Sequence, residues 1–259
     1  MKLIVAVLFA SSLLAQASSS AADLVVRRLS NPDAAAADAA MVDLIRGGPS
    51  NVPVLQKVLA TTKDAACRTR AERALALCVV DAPVANGVKV GLAAERKEVV
   101  PGQVVNLTAT VCNVTDKPIA LFVGLLDNVL EDGTALQQCA ADGAVLGQAR
   151  FCGRAHCGFG LVPIVEVLPP WSSRQFVLRA TYRVELDDEF FVRHDGPRLT
   201  TTGRFVLPLA DAEQGDTVRL RLACTIDPEL AKALDPSCNA DWKGELCSNA
   251  VELRLRAAR

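Results

Sequence analysis

Nine cysteines and two histidines are the side chains of this 259-residue sequence best suited to covalent or metal chemistry. Cys152 and Cys157 enclose Gly-Arg-Ala-His, a spacing that suits a small disulfide loop. Cys238 and Cys247 enclose a similar loop containing Trp242, which suits a second. Cys112 and Cys224 each close a strongly alternating apolar segment, and a bridge between them would tie two strands together, with Cys139 competing for either partner. Cys67 and Cys78 fall on one expected helix, about 16 Å apart along its axis. A disulfide needs Cα atoms within about 7 Å, so these two read as buried apolar thiols. The seven remaining cysteines are an odd number, which leaves at least one free or bonded elsewhere.

The same residues admit a sharper reading. Cys152, His156 and Cys157, with Cys139 as a fourth ligand, are an alternative metal set. Structural zinc sites more often use two close Cys pairs, or a Cys pair with a His pair. The run Asp187, Asp188, Glu189, with Asp195 beyond it, offers oxygen ligands of the kind calcium takes. A solvated hairpin tip is the other reading of that run. Catalysis has little to work with. His194 is the second histidine, no G-x-S-x-G elbow supplies it with a serine, and neither a P-loop nor a strand-linked dinucleotide fingerprint is present. The expectation is no enzyme and no cofactor.

The elements that must position these residues change period near residue 84. Before it the chain reads as short helices, over about 23–29, up to Arg46, 52–60 and 63–80. Asn31-Pro32-Asp33 supplies a turn and an N-cap signal, Lys63-Asp64 starts the last of these helices, and the two aspartates are 31 residues apart. After it, alternation and turn signals dominate. Strands are expected over 88–92, 104–114, 119–125, 161–168, 175–184, 190–192, 205–209, 217–226 and 251–255, with 134–160 read as an irregular loop. The fold class is therefore α+β in two domains, a short helical module over 18–84 and an antiparallel β-sandwich over 85–259. Ahead of both, Lys2, an apolar run from Leu3 to Leu14 and Ala15-Gln16-Ala17 read as a signal peptide over 1–17. In an exported chain the cysteine count favours disulfides.

A formal charge of −1 is poor material for nucleic-acid binding, and aromatic residues at 4% leave few stacking platforms. No long uncharged apolar run follows the signal segment, so no membrane span is expected. Asn106-Leu-Thr108 and Asn113-Val-Thr115 match glycosylation sequons.

The stretch NPDAAAADAAMVDLIRGGPSNVPVLQKVLATTKDAACRTRAERALAL resembles HEAT-type helical repeats. The resemblance implies an Asp that opens the first helix, an Arg four residues later tied to it, and small and leucine positions facing the partner helix. Asp64, Arg68, Ala71, Ala74 and Leu75 match. Asp33, Ala40 and Leu44 match in the earlier copy, where Ala37 stands in place of the arginine. The stretches VVPGQVVNLTATVCNVTDKPIAL and VLPPWSSRQFVLRATY resemble secreted bacterial immunoglobulin-like sandwiches, in which a Pro-Gly turn feeds a strand that ends in an Asn-x-(Ser/Thr) turn.

The functional expectation is a secreted or periplasmic protein-binding or scaffold protein. Its partner would be another protein at the cell surface or in the periplasm, met through the 134–160 loop. A secreted protease inhibitor and a metal-binding protein using the Cys/His loop are the alternatives.

Overall fold

The computed structural model describes residues 21–122, 134–151, 165–184, 197–201, 205–209, 212, 215–226 and 244–257. The chain is α+β and divides into two compact units, Met1–Asp81 and Ala82–Arg259.

The first unit is helical. Residues 21–29 form α1, followed by α2 (Ala34–Arg46), a 3-10 turn (Gly48–Asn51), α3 (Val52–Thr61) and α4 (Ala65–Cys78). Asp33, expected as a cap, acts as one, and so does Asp64 at the start of α4. Asp33 Oδ1 accepts from Ala35 N at 3.0 Å, and Asp64 Oδ1 accepts from Ala66 N at 2.9 Å, satisfying amides that have no partner within the helix. The carbonyl of Leu44, orphaned near the end of α2, accepts from Asn51 Nδ2 at 2.8 Å and Cys78 Sγ at 3.2 Å. Arg68 does not reach back to Asp64. Its Nη2 donates to the Thr62 carbonyl at 3.0 Å, and the tie between helices falls to Arg70, which bonds Asp38 at 2.9 Å and the Leu29 carbonyl at 3.1 Å. Ala40 and Ala71 are both buried, but Leu44 is buried where Leu75 is only half-buried. The caps repeat at the expected spacing; the buried faces follow it in part.

The second unit contains fifteen described strands. In chain order these are β1 (Val84–Ala85), β2 (Val88–Ala94), β3 (Glu98–Val99), β4 (Val104–Asn113), β5 (Ile119–Phe122), β6 (Thr134–Cys139), β7 (Val145–Gln148), β8 (Arg150–Phe151), β9 (Val165–Leu168), β10 (Ser173–Arg183), β11 (Arg198–Thr201), β12 (Phe205–Pro208), β13 (Thr217–Ile226), β14 (Gly244–Cys247) and β15 (Val251–Leu255). One sheet runs β1-β2-β4-β10-β11-β12-β8 and a second runs β3-β15-β13-β6-β7, with β14 beside β13 and a separate β5-β9 pair. Pairing is antiparallel except between β3 and β15. Val88, Val90 and Leu92, Leu107 and Ala109, and Leu178 and Ala180 turn inward from the first sheet. Leu136, Leu220, Leu222, Leu253 and Leu255 meet them from the second in one shared core. Period-2 alternation puts each apolar set on one face, which is why two sheets close over it.

Three local devices hold this body together. Asn86-Gly87, with φ of 50° and 78°, makes the two-residue turn between β1 and β2, both residues in the left-handed region that such hairpins demand. Asn113 is fully buried. Its Nδ2 donates to the carbonyls of Lys117 (2.7 Å), Leu168 (3.1 Å) and Pro169 (3.0 Å), while its Oδ1 accepts from Thr115 N (3.0 Å) and Thr115 Oγ1 (2.7 Å). This amide is fully employed and cannot carry a glycan in the folded chain. Asn249, just before β15, imitates a strand. Its Oδ1 accepts from Leu92 N at 2.8 Å and its Nδ2 donates to Leu92 O at 2.9 Å, joining the second sheet to the edge of β2 beyond the reach of β1.

The segment read as an irregular loop over 134–160 is corrected in its described part. Residues 134–148 form the β6–β7 hairpin, and β8 then crosses to pair with β12 in the other sheet. The alternation was hidden because in Thr-Ala-Leu-Gln-Gln-Cys only Leu136 belongs to the shared core, and the ladder shifts register between Gln138 and Cys139. At Gly147 the hairpin passes so close to β12 that a Cβ there would lie 3.0 Å from the Pro208 carbonyl oxygen.

Candidate functional site

The cysteines occupy separate places. Cys67 and Cys78 are both buried near opposite ends of α4, as the helical spacing required. Cys112 follows the inward-facing Val111 on β4, so its side chain lies on the face turned away from the shared core. Cys224 belongs to that core. The structure does not bring Cys112 and Cys224 together, because the first sheet separates them. Cys139 is buried beside the Arg219 carbonyl, its Sγ 3.7 Å from that oxygen. Cys247 ends β14. Cys152, Cys157, Cys238 and His156 lie outside the described residues, as do His194, Asp187, Asp188, Glu189 and Asp195. Among the described residues no group of three His, Cys, Asp or Glu side chains is placed to hold a metal ion. Arg183 and Arg198, the described arginines bracketing the acidic run, stand directly opposite one another on β10 and β11.

Cys112 has a neighbour that its sequence position did not announce. Lys89 on β2 is its cross-strand partner, and both side chains have 0% exposure on the outer face of the sheet. Directly opposed residues bring their Cβ atoms to about 5 Å. Burial pushes the Cys112 thiol from an ordinary 9.0 up to about 11, against the charge of Lys89, which pulls it down. A thiol held there stays protonated at neutral pH, which sets it against nucleophilic chemistry. The pair is part of the sheet's construction.

The β6–β7 hairpin presents the feature best suited to contact. Its turn is closed by Ala140 N donating to Ala144 O at 2.8 Å and by Ala144 N donating to Asp142 Oδ1 at 3.0 Å. Strand β13 braces it from beside. Arg219 Nη1 donates to the Ala141 carbonyl at 3.1 Å, and Arg221 Nε donates to Gln137 Oε1 at 2.9 Å. On this braced hairpin Val145 and Leu146 are 48% and 47% exposed. Two adjacent apolar residues point to opposite sides of a strand, so both sides of β7 show apolar surface. The signal in the sequence is the Val-Leu pair two residues after Gly143, which breaks alternation at a turn.

No helix among the described residues is long and apolar enough to cross a membrane. No family matches the sequence, and no curated protein matches it. Among solved structures the chain is similar to the sporulation control protein Spo0M from Bacillus subtilis, with 13% identity and a TM-score of 0.32, over 67% of this chain and 51% of that one. It is also similar to the alkylpurine DNA glycosylase AlkC from Pseudomonas fluorescens bound to DNA, with 9% identity and a TM-score of 0.31, over 90% of this chain and 50% of that one. The chain spans about half the length of each. At these scores neither likeness carries an argument about this chain.

Proposed function

We infer that this is an exported protein-binding or scaffold protein that meets its partner through the β6–β7 hairpin. The observation that carries the reading is the exposed Val145–Leu146 pair on a hairpin braced by Arg219 and Arg221. Exposed apolar side chains gain free energy when a partner covers them. The export reading rests on the signal-like residues 1–17.

The double variant V145S/L146S tests the contact. Both side chains are about half exposed and lie outside the shared core, so the variant is expected to fold, with only a small loss of thermal stability. Reversible crosslinking of the exported chain is expected to trap a discrete second polypeptide with the parent and not with the variant. Equal trapping by both chains would move the contact elsewhere. Cell fractionation and N-terminal sequencing test the address, with the mature chain expected to begin at Ser18.

A further inference from the structure

We propose that Asn86 is a site of spontaneous deamidation that remodels the β1–β2 hairpin. The chemistry needs an asparagine side chain, an unencumbered backbone nitrogen after it, and water. All three meet here. Asn86 is exposed at the tip of the turn. Gly87 follows, without a side chain to shield its nitrogen, and its N–H donates no hydrogen bond among the described residues. The hairpin is held on the β1 side by only two paired residues, Val84 opposite Lys89 and Ala85 opposite Val88. So short a ladder opens at little cost, and opening releases Asn86 from its left-handed φ of 50°.

The Gly87 nitrogen gives up its proton to solvent base and attacks Cγ of Asn86. A C–N bond forms, the Cγ–Nδ2 bond breaks, and ammonia leaves from a succinimide ring. Water opens the ring at either carbonyl to give aspartate or isoaspartate, so no oxidant or cofactor is required. Isoaspartate routes the backbone through the side chain and inserts one extra backbone carbon. A two-residue turn of this type has no room for it. The pairing of β1 with β2 is lost, and with it the bond from Val114 N to Gly87 O, now 2.7 Å. The other amides in the described sheets are engaged. Asn106 donates to Glu95 at 2.6 Å, Asn113 to three carbonyls, and Asn249 to Leu92.

The full chain, held at mildly alkaline pH, is digested and mapped by mass spectrometry. The peptide containing Asn86 is expected to show the amide-to-acid mass gain ahead of those containing Asn106, Asn113 and Asn249. The intact chain is expected to become a methyl acceptor for a protein isoaspartyl methyltransferase. The variant N86G keeps a residue that tolerates positive φ and removes the amide, so it is expected to fold normally and to lose most of that methyl acceptance. An Asn86 amide that survives while the other asparagines convert would overturn the proposal. So would an N86G chain that accepts methyl groups as readily as the parent.

Discussion

Replacing Asn249 with alanine removes two hydrogen bonds at once and strands the N–H and C=O of Leu92. That residue is only 4% exposed, so water replaces the lost amide poorly. A typical hydrogen bond contributes about 1 kcal/mol net, and a buried group left unsatisfied costs about 1–3 kcal/mol. Asn249 is itself half-buried, so some solvent reaches the wound. The expected loss is about 2–4 kcal/mol, confined to the sandwich. The assay is urea unfolding followed by tryptophan fluorescence, since both tryptophans, Trp171 and Trp242, belong to the second unit. The midpoint should fall while the slope with denaturant stays constant, because the same surface is exposed on unfolding. N249D sharpens the test. A carboxylate still accepts from Leu92 N but offers nothing to Leu92 O, so the loss should persist although the shape is kept. A change below about 0.5 kcal/mol for N249A, within the range of ordinary surface substitutions, would refute the view that this side chain acts as a strand.

Three further outcomes follow from the same geometry. Asn113→Ala leaves three carbonyls without their donor and is expected to cost about 3 kcal/mol or more by denaturant titration. Arg70→Ala removes the bonds to Asp38 and to the Leu29 carbonyl, and circular dichroism of the helical unit should show a loss of about 1–2 kcal/mol. For Cys112 the folded thiol keeps its proton up to about pH 11 while the unfolded one loses it from 9.0. The folded state therefore binds more protons between those values, and stability must fall as pH rises through the window, by about 3 kcal/mol in all. C112S should flatten that slope, and native Cys112 should resist alkylation at neutral pH.

The parts of this fold legible in the sequence are those where alternation is uninterrupted. Thr217–Ile226 and Val251–Leu255 stand at their expected bounds, and the strand expected at 104–114 ends one residue earlier, at Asn113. The strands missed are those with another reason to exist. β6 is polar because Gln137 bonds Arg221 and Gln148 across the sheet. β1 and β3 are two residues long, and β11 carries a buried arginine, Arg198, which no alternation rule expects. Lys89 was invisible for the same reason, since a charged residue inside an apolar strand reads as the solvent face. The cysteine spacings suggested loops and bridges but held no information about which face of a sheet each thiol would take. Cys112 and Cys224 end their strands in the same way in sequence and lie on opposite sides of one sheet in space.

The proposed contact surface is tested most directly by a photo-crosslinking residue placed at Leu146 in the full chain, with Val177, 48% exposed on β10, as the control position. Contact through the β6–β7 hairpin predicts one discrete adduct from position 146 and none from 177. No adduct from 146, or the same adducts from both positions, would contradict it.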